Sequence, residues 1–180
     1  MNYIFSAIFL YFFLGFLLYI FQRRIVFNKS GHPGAPKDYN LDNTEEVYIK
    51  TEDNLKLLSW YHKGNNSLPL IVYFHGNSFH IGDRAYRIQR YIEKNWSVLL
   101  VSWRGFGGNK GNPTEKNLYK DAEAVLKWIK NNTEFKFKEL VIYGESLGSG
   151  AAVEMGTKYE FLSIVLEAPF TSINDIAKKR

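Results

Sequence analysis

Leu140-Val141-Ile142-Tyr143-Gly144-Glu145-Ser146-Leu147-Gly148-Ser149-Gly150, residues 140–150, is the stretch that decides the fold. Its first four residues form a continuous apolar run, the pattern of a strand buried on both faces. The run ends in Gly-x-Ser-x-Gly, and the small residues Ser149, Gly150, Ala151 and Ala152 then open a helix over Leu147–Lys158. A sharp turn between strand and helix holds its serine in a strained backbone conformation with the hydroxyl exposed. Gly144 and Gly148 stand where the neighbouring backbone comes too close for a Cβ. The amide of Leu147 begins the helix and can point at a developing oxyanion. A glycine-rich phosphate loop or a plain tight turn would show the same glycines. The buried strand before the turn and the small-residue helix after it favour Ser146 as a nucleophile.

Outward from this stretch the chain alternates. Leu70–Phe74, Ser97–Trp103 and Leu162–Leu166 are further apolar strands, and Glu46–Thr51 with Leu55–His62 predicts an antiparallel hairpin around Glu52-Asp53-Asn54. Gly82–Lys94 and Glu115–Lys130 carry helical apolar spacing, and a helix start is expected from Thr171. Continuous strands alternating with helices imply an α/β fold, a mostly parallel sheet covered on both faces. Its chemistry belongs on loops at the C-terminal ends of the strands.

Two of those loops stand out. His75-Gly76-Asn77-Ser78 follows the Leu70–Phe74 strand, and the backbone N–H of Asn77 is the expected second oxyanion donor. His75 and Gly76 are read as holding this loop. Arg104-Gly105-Phe106-Gly107-Gly108-Asn109-Lys110-Gly111 follows the next strand, and its glycines allow a folded loop beside the nucleophile. Arg104 is expected to be structural rather than substrate-binding, and Asp121 an anchor for this loop rather than a catalytic acid.

The N-terminus is of another kind. Tyr3–Phe21 is apolar, uncharged and without a polar stripe, and Gln22, Arg23 and Arg24 end it. As a helix it reaches about 28 Å, close to a bilayer's hydrocarbon core of roughly 30 Å. A cleaved signal peptide would have a basic segment before the run and a small-residue cleavage site after it, and a buried core helix would show a polar stripe. Residues 1–24 are thus expected to be a single membrane anchor, 25–45 a linker rich in Gly, Pro and Asn, and 46–180 the soluble domain. The Arg23/Arg24 side faces the cytoplasm by the positive-inside rule.

Composition removes other classes. The chain has no cysteine, so disulfide frameworks, thiolate zinc sites and a cysteine nucleophile are excluded. A net charge of +5 is spread along the chain without a block of like charges, which argues against a nucleic-acid arm.

The ordered set HGN at 75–77, Arg84, RGFG at 104–107 with Pro113-Thr114-Glu115, Leu118 with Asp121-Ala122, YGESLGSG at 143–150 and EAPFTS at 167–172 resembles the small membrane-anchored branch of the α/β-hydrolase superfamily. That branch includes serine aminopeptidase-like hydrolases and abhydrolase-domain protein depalmitoylases. The resemblance implies an α/β-hydrolase fold, Ser146 as nucleophile, Asn77 and Leu147 as oxyanion donors, a small-molecule or acylated substrate, and acyl transfer with neither cofactor nor metal. Asn109 departs from it, since the family usually has serine there. The larger departure is the end. The order in this fold is serine, acid, histidine. His32, His62, His75 and His80 all precede Ser146, and no histidine follows it. Glu167 and Asp175 follow Ser146, but neither supplies the histidine. The expectation is therefore a hydrolase domain incomplete at its C-terminus, without triad acid and histidine and inert by itself. The rival expectation is a non-catalytic, membrane-tethered interaction protein on a hydrolase scaffold.

Overall fold

The computed structural model describes residues 2–27 and 31–171. Helix α1 spans Asn2–Val26, and within it Tyr3–Phe21 has a mean hydropathy of 2.4 with none of its residues buried. The remainder is a six-stranded sheet with helices on both faces. Its strands are β1 (Thr44–Lys50), β2 (Lys56–His62), β3 (Leu70–Phe74), β4 (Ser97–Val101), β5 (Leu140–Glu145) and β6 (Ser163–Glu167), and its helices are α2 (Ala85–Ile92), α3 (Glu115–Asn132) and α4 (Leu147–Lys158).

The strands lie in the order β1-β2-β4-β3-β5-β6. The pairs β1–β2 and β2–β4 are antiparallel, and β4–β3, β3–β5 and β5–β6 are parallel. Strand β3 is central, and its side chains show why a run without alternation makes a good strand here. Leu70, Val72 and Phe74 join the core under α3 and α4, while Ile71 and Tyr73 join the core on the other face with Ile81, Ala85 and Ile88. Both faces need apolar side chains, so the period of two disappears. The register aligns Phe74 with Gly144 and Gly144 with Leu166, so the ends of β3, β5 and β6 open on one rim.

Two expected elements take different forms. The helix read over Gly82–Lys94 divides into a 3-10 turn, Ile81–Arg84, followed by α2. The tighter turn carries the Arg84 side chain inward, where its Nη1 donates to the Ser78 carbonyl at 3.0 Å. In the region read as a linker, 25–45, the described residues from 31 onward pack at several points. Pro33 and Pro36 are buried, Leu41 lies in the core beside Trp60, and Pro36–Tyr39 forms a 3-10 turn. The helix start after Thr171, and Asp175, lie outside the described residues.

Candidate active site

Ser146 stands between β5 and α4 with φ 48° and ψ −109°, a conformation that side-chain-bearing residues avoid. Such a conformation costs on the order of 1–3 kcal/mol and persists only where its surroundings hold it. The Ser146 amide donates to the Glu167 carbonyl at 2.8 Å, and its carbonyl accepts from Ser149 N at 2.9 Å and Ser149 Oγ at 2.5 Å. The turn also requires its glycines. A Cβ on Gly148 would lie 2.1 Å from the Phe74 carbonyl oxygen, and one on Gly144 would lie 2.7 Å from Ser149 Cα. Leu147 is the first residue of α4, so its amide belongs to the helix N-terminus, whose first amides have no intrahelical partner.

Gly76 closes on this turn from β3. A Cβ there would stand 3.0 Å from Glu145 Oε1 and 3.4 Å from Ser146 Cβ, so the loop carrying Asn77 lies directly against the serine. His75 is fully buried, and both ring nitrogens have partners. Nδ1 lies 2.7 Å from the Gly76 carbonyl, and Nε2 faces the Trp103 amide at a long 3.5 Å. Burial, and then the nearby Arg84 charge, lowers its pKa to about 4, so the ring is neutral at physiological pH. With Nδ1 donating to the Gly76 carbonyl and Nε2 facing the Trp103 amide, both ring nitrogens of His75 are turned to backbone groups.

Arg104 and Asp121 are both buried and sit on the neighbouring loop and helix. Asp121 accepts from Arg104 Nη2 at 2.6 Å, Nε at 2.8 Å and the backbone amide at 3.1 Å. Asp53, from the β1–β2 turn, completes the cluster through Arg104 Nη1 at 2.7 Å and Nη2 at 3.1 Å, and these bonds hold its carboxyl well below the usual range. Asn109 pins the same loop to β2, accepting from the Leu58 amide at 2.9 Å and donating to the Ser102 carbonyl at 3.1 Å.

The sequence matches a known family. The model of the serine aminopeptidase S33 hydrolases matches residues 66–179. The chain belongs to the serine aminopeptidase S33 family. Protein Rv2307c of Mycobacterium tuberculosis is 31% identical over 169 residues, covering 90% of this chain and 59% of the relative. The lysophosphatidylserine lipase ABHD12 of Danio rerio is 29% identical over 79% of this chain and 44% of its own length. The esterase Pf2001 of Pyrococcus furiosus superposes with a TM-score of 0.66 at 28% identity, over 79% of this chain and 58% of the esterase. The chain thus spans between about two fifths and three fifths of these relatives.

In this S33-family chain, a second set of residues was not visible as a site in the sequence. Arg84 Nε and Nη2 grip both Glu145 oxygens, and Tyr73 donates to Glu145 Oε2 at 3.0 Å. Burial opposes ionisation of Glu145, but Arg84 prevails and lowers its pKa. The Glu167 carboxylate accepts from Arg87 Nη1 at 2.5 Å and from the Tyr143 hydroxyl at 2.7 Å. Glu167 is therefore committed to the α2 side of the sheet. Tyr73 and Tyr143 stack at 4.6 Å between these two pairs. The signal for both pairs was present only as charges near a strand end, with partners 61 and 80 residues away.

Proposed function

We propose that this chain carries the nucleophile, oxyanion donors and membrane anchor of a serine hydrolase that forms an acyl-enzyme on Ser146 from ester, thioester or amide substrates. The observation that carries the reading is the strained Ser146, held at the start of α4 and directly against Gly76. The hydroxyl oxygen attacks the acyl carbon, and the developing oxyanion meets the backbone N–H groups of Asn77 and Leu147. The leaving group departs with a proton, and water then releases the acid. His75, Gly76, Arg104, Gly144, Gly148 and Asp121 hold the loops that position these groups. The esterase and lipase among the relatives favour an ester.

The proton must pass to a base. In this fold the base is a histidine after Ser146, and Leu147–Arg180 contains none. The activity proposed is accordingly that of a protein in which an acid and a histidine join Ser146. Residues 1–24 anchor it in a membrane as a single pass, 25–45 connect, and 46–180 form the hydrolase part on the cytoplasmic side. A fluorophosphonate probe applied to the protein in its native membrane should label Ser146, and Ser146→Ala should lose the label. An unlabelled native protein would overturn the reading and favour a tethered, non-catalytic interaction protein.

A further inference from the structure

We propose that the contacts of Phe27 and of residues 31–36, between α1 and the sheet, act as a strut that seats the Ser146 rim against a lipid bilayer, so that an acyl amphiphile reaches the serine from the membrane surface. The proposal rests on the readings of α1 as a membrane anchor and of Ser146 as the nucleophile.

The strut begins one residue after α1. The Phe27 ring meets Phe106 edge to face, with centroids 6.3 Å apart and planes at 80°. Phe106 is fully buried and meets the His75 ring edge to face at 5.4 Å. His75 precedes Gly76, which lies against Ser146. Two ring contacts therefore connect the end of the apolar helix to the loop beside the serine. The polar layer of a bilayer leaflet is about 6 Å thick, comparable to one such contact.

The strut touches the rim again after residue 30. Gly108 has φ +84°, and a Cβ there would stand 2.9 Å from His32 Cδ2. Gly107 has φ +54°, and a Cβ there would lie 3.3 Å from His80 Cβ and 3.5 Å from Pro33 Cδ. On the strut itself, a Cβ on Gly31 would lie 2.6 Å from the His80 ring. The glycines of the 104–111 loop thus make room for the strut as well as folding the loop. That loop is itself immobilised, by Arg104 on Asp53 and Asp121 and by Asn109 on β2. Both sides of the contact are fixed, and a flexible linker would need neither the seat nor two buried prolines.

Beside the strut a cleft of ≈ 370 Å³ is lined by His32, Tyr48, Leu55, Lys56 and Lys110 among others. Its two exposed lysines suit a surface of phospholipid headgroups. The far end of the domain is different. The parallel strands start there, and β3 alone sets it roughly 16 Å away at ~3.3 Å per residue.

The chain lacks cysteine, so single-cysteine variants report cleanly. Lys110→Cys marks the rim, and Ser67→Cys, before β3, marks the far end. Each full-length variant carries a fluorophore and is reconstituted into phosphatidylcholine–phosphatidylglycerol vesicles containing a lipid with a headgroup nitroxide. The probe at residue 110 should be quenched severalfold more than the probe at residue 67. Phe27→Ala with a Gly-Ser spacer inserted after residue 27 should remove the difference, while circular dichroism stays unchanged. Equal quenching at both positions, or stronger quenching at residue 67, in vesicle-bound protein overturns the proposal alone. Failure to remain with vesicles after alkaline washing overturns the anchor reading and the proposal with it. Loss of fluorophosphonate labelling with the quenching difference intact would strike only the assignment of the nucleophile.

Discussion

Arg84 and Glu145 meet through two hydrogen bonds, Nε to Oε2 at 3.1 Å and Nη2 to Oε1 at 2.8 Å, while Arg84 Nη1 donates to the Ser78 carbonyl at 3.0 Å. One side chain therefore ties the residue before Ser146 to the loop that carries Asn77. The pair is mostly shielded, with side chains 11% and 14% exposed.

Removing one partner leaves the other charged and poorly solvated. Arg84→Ala should cost ~3 kcal/mol in denaturant unfolding, and Arg84→Lys less, because it keeps the charge but not the two-pronged geometry. The folded Glu145 pKa is depressed, so its contribution is full above the unfolded value of about 4.3 and is lost as pH falls through the folded value. The gap between wild type and Arg84→Ala should therefore narrow in acid. A gap independent of pH would mean that the pair is not ionised.

His75 gives a second, separable pH effect. Its folded pKa of about 4 lies below the ordinary value of 6.5. Between those limits the unfolded chain binds more protons, so stability is full above the window and falls as pH is lowered through it. The loss should reach about 3 kcal/mol across the window. His75→Gln should be less stable at neutral pH and should lack this slope in urea titrations.

Two glycines of one turn and helix should behave oppositely. Gly148→Ala drives a methyl to 2.1 Å from a carbonyl oxygen of the central strand and should prevent soluble expression. Gly150→Ala meets nothing within 4 Å inside α4, and should raise stability by roughly 0.5–1 kcal/mol through helix propensity. Expression yield of Gly148→Ala and thermal melting of Gly150→Ala check the two outcomes.

What the sequence made legible follows from local chemistry. Leu70–Phe74 and Leu140–Tyr143 read as strands because both faces are buried, and Glu52-Asp53-Asn54 read as a turn, where Asn54 adopts φ 62°. Ser146 stood out because Gly144 and Gly148 bracket it. The unread parts depend on distant partners. Arg84 lies in a window of helical spacing and passes for a solvent-facing charge until β5 is brought beside it. Phe27 follows the arginines that end the apolar run, and nothing near it announces a partner at Phe106. Gly107 and Gly108 read only as glycines that let their own loop fold, because residues 32 and 33 that lie against them are some 75 positions earlier.

Among the described residues strand β6 is at the sheet edge, with Ile164, Val165 and Leu166 each about two fifths exposed. Unpaired edges of this kind template association. Residues 31–180, separated from α1, should aggregate at micromolar concentration. Val165→Lys should delay the onset seen by light scattering while changing stability by only about 0.5 kcal/mol, the range of surface substitutions.

The strand order also sets a timetable for synthesis. Leu70 pairs with Leu140, so the central strand waits for about 70 residues of further translation before its second neighbour exists. At roughly 5–20 residues per second, that interval lasts about 4–14 s. Through it the chain can hold the β1–β2 hairpin and the β3–β4 pair, while one side of β3 remains bare. The apolar helix α1 precedes the sheet in the chain, so it is made before this half-built sheet begins to wait for β5.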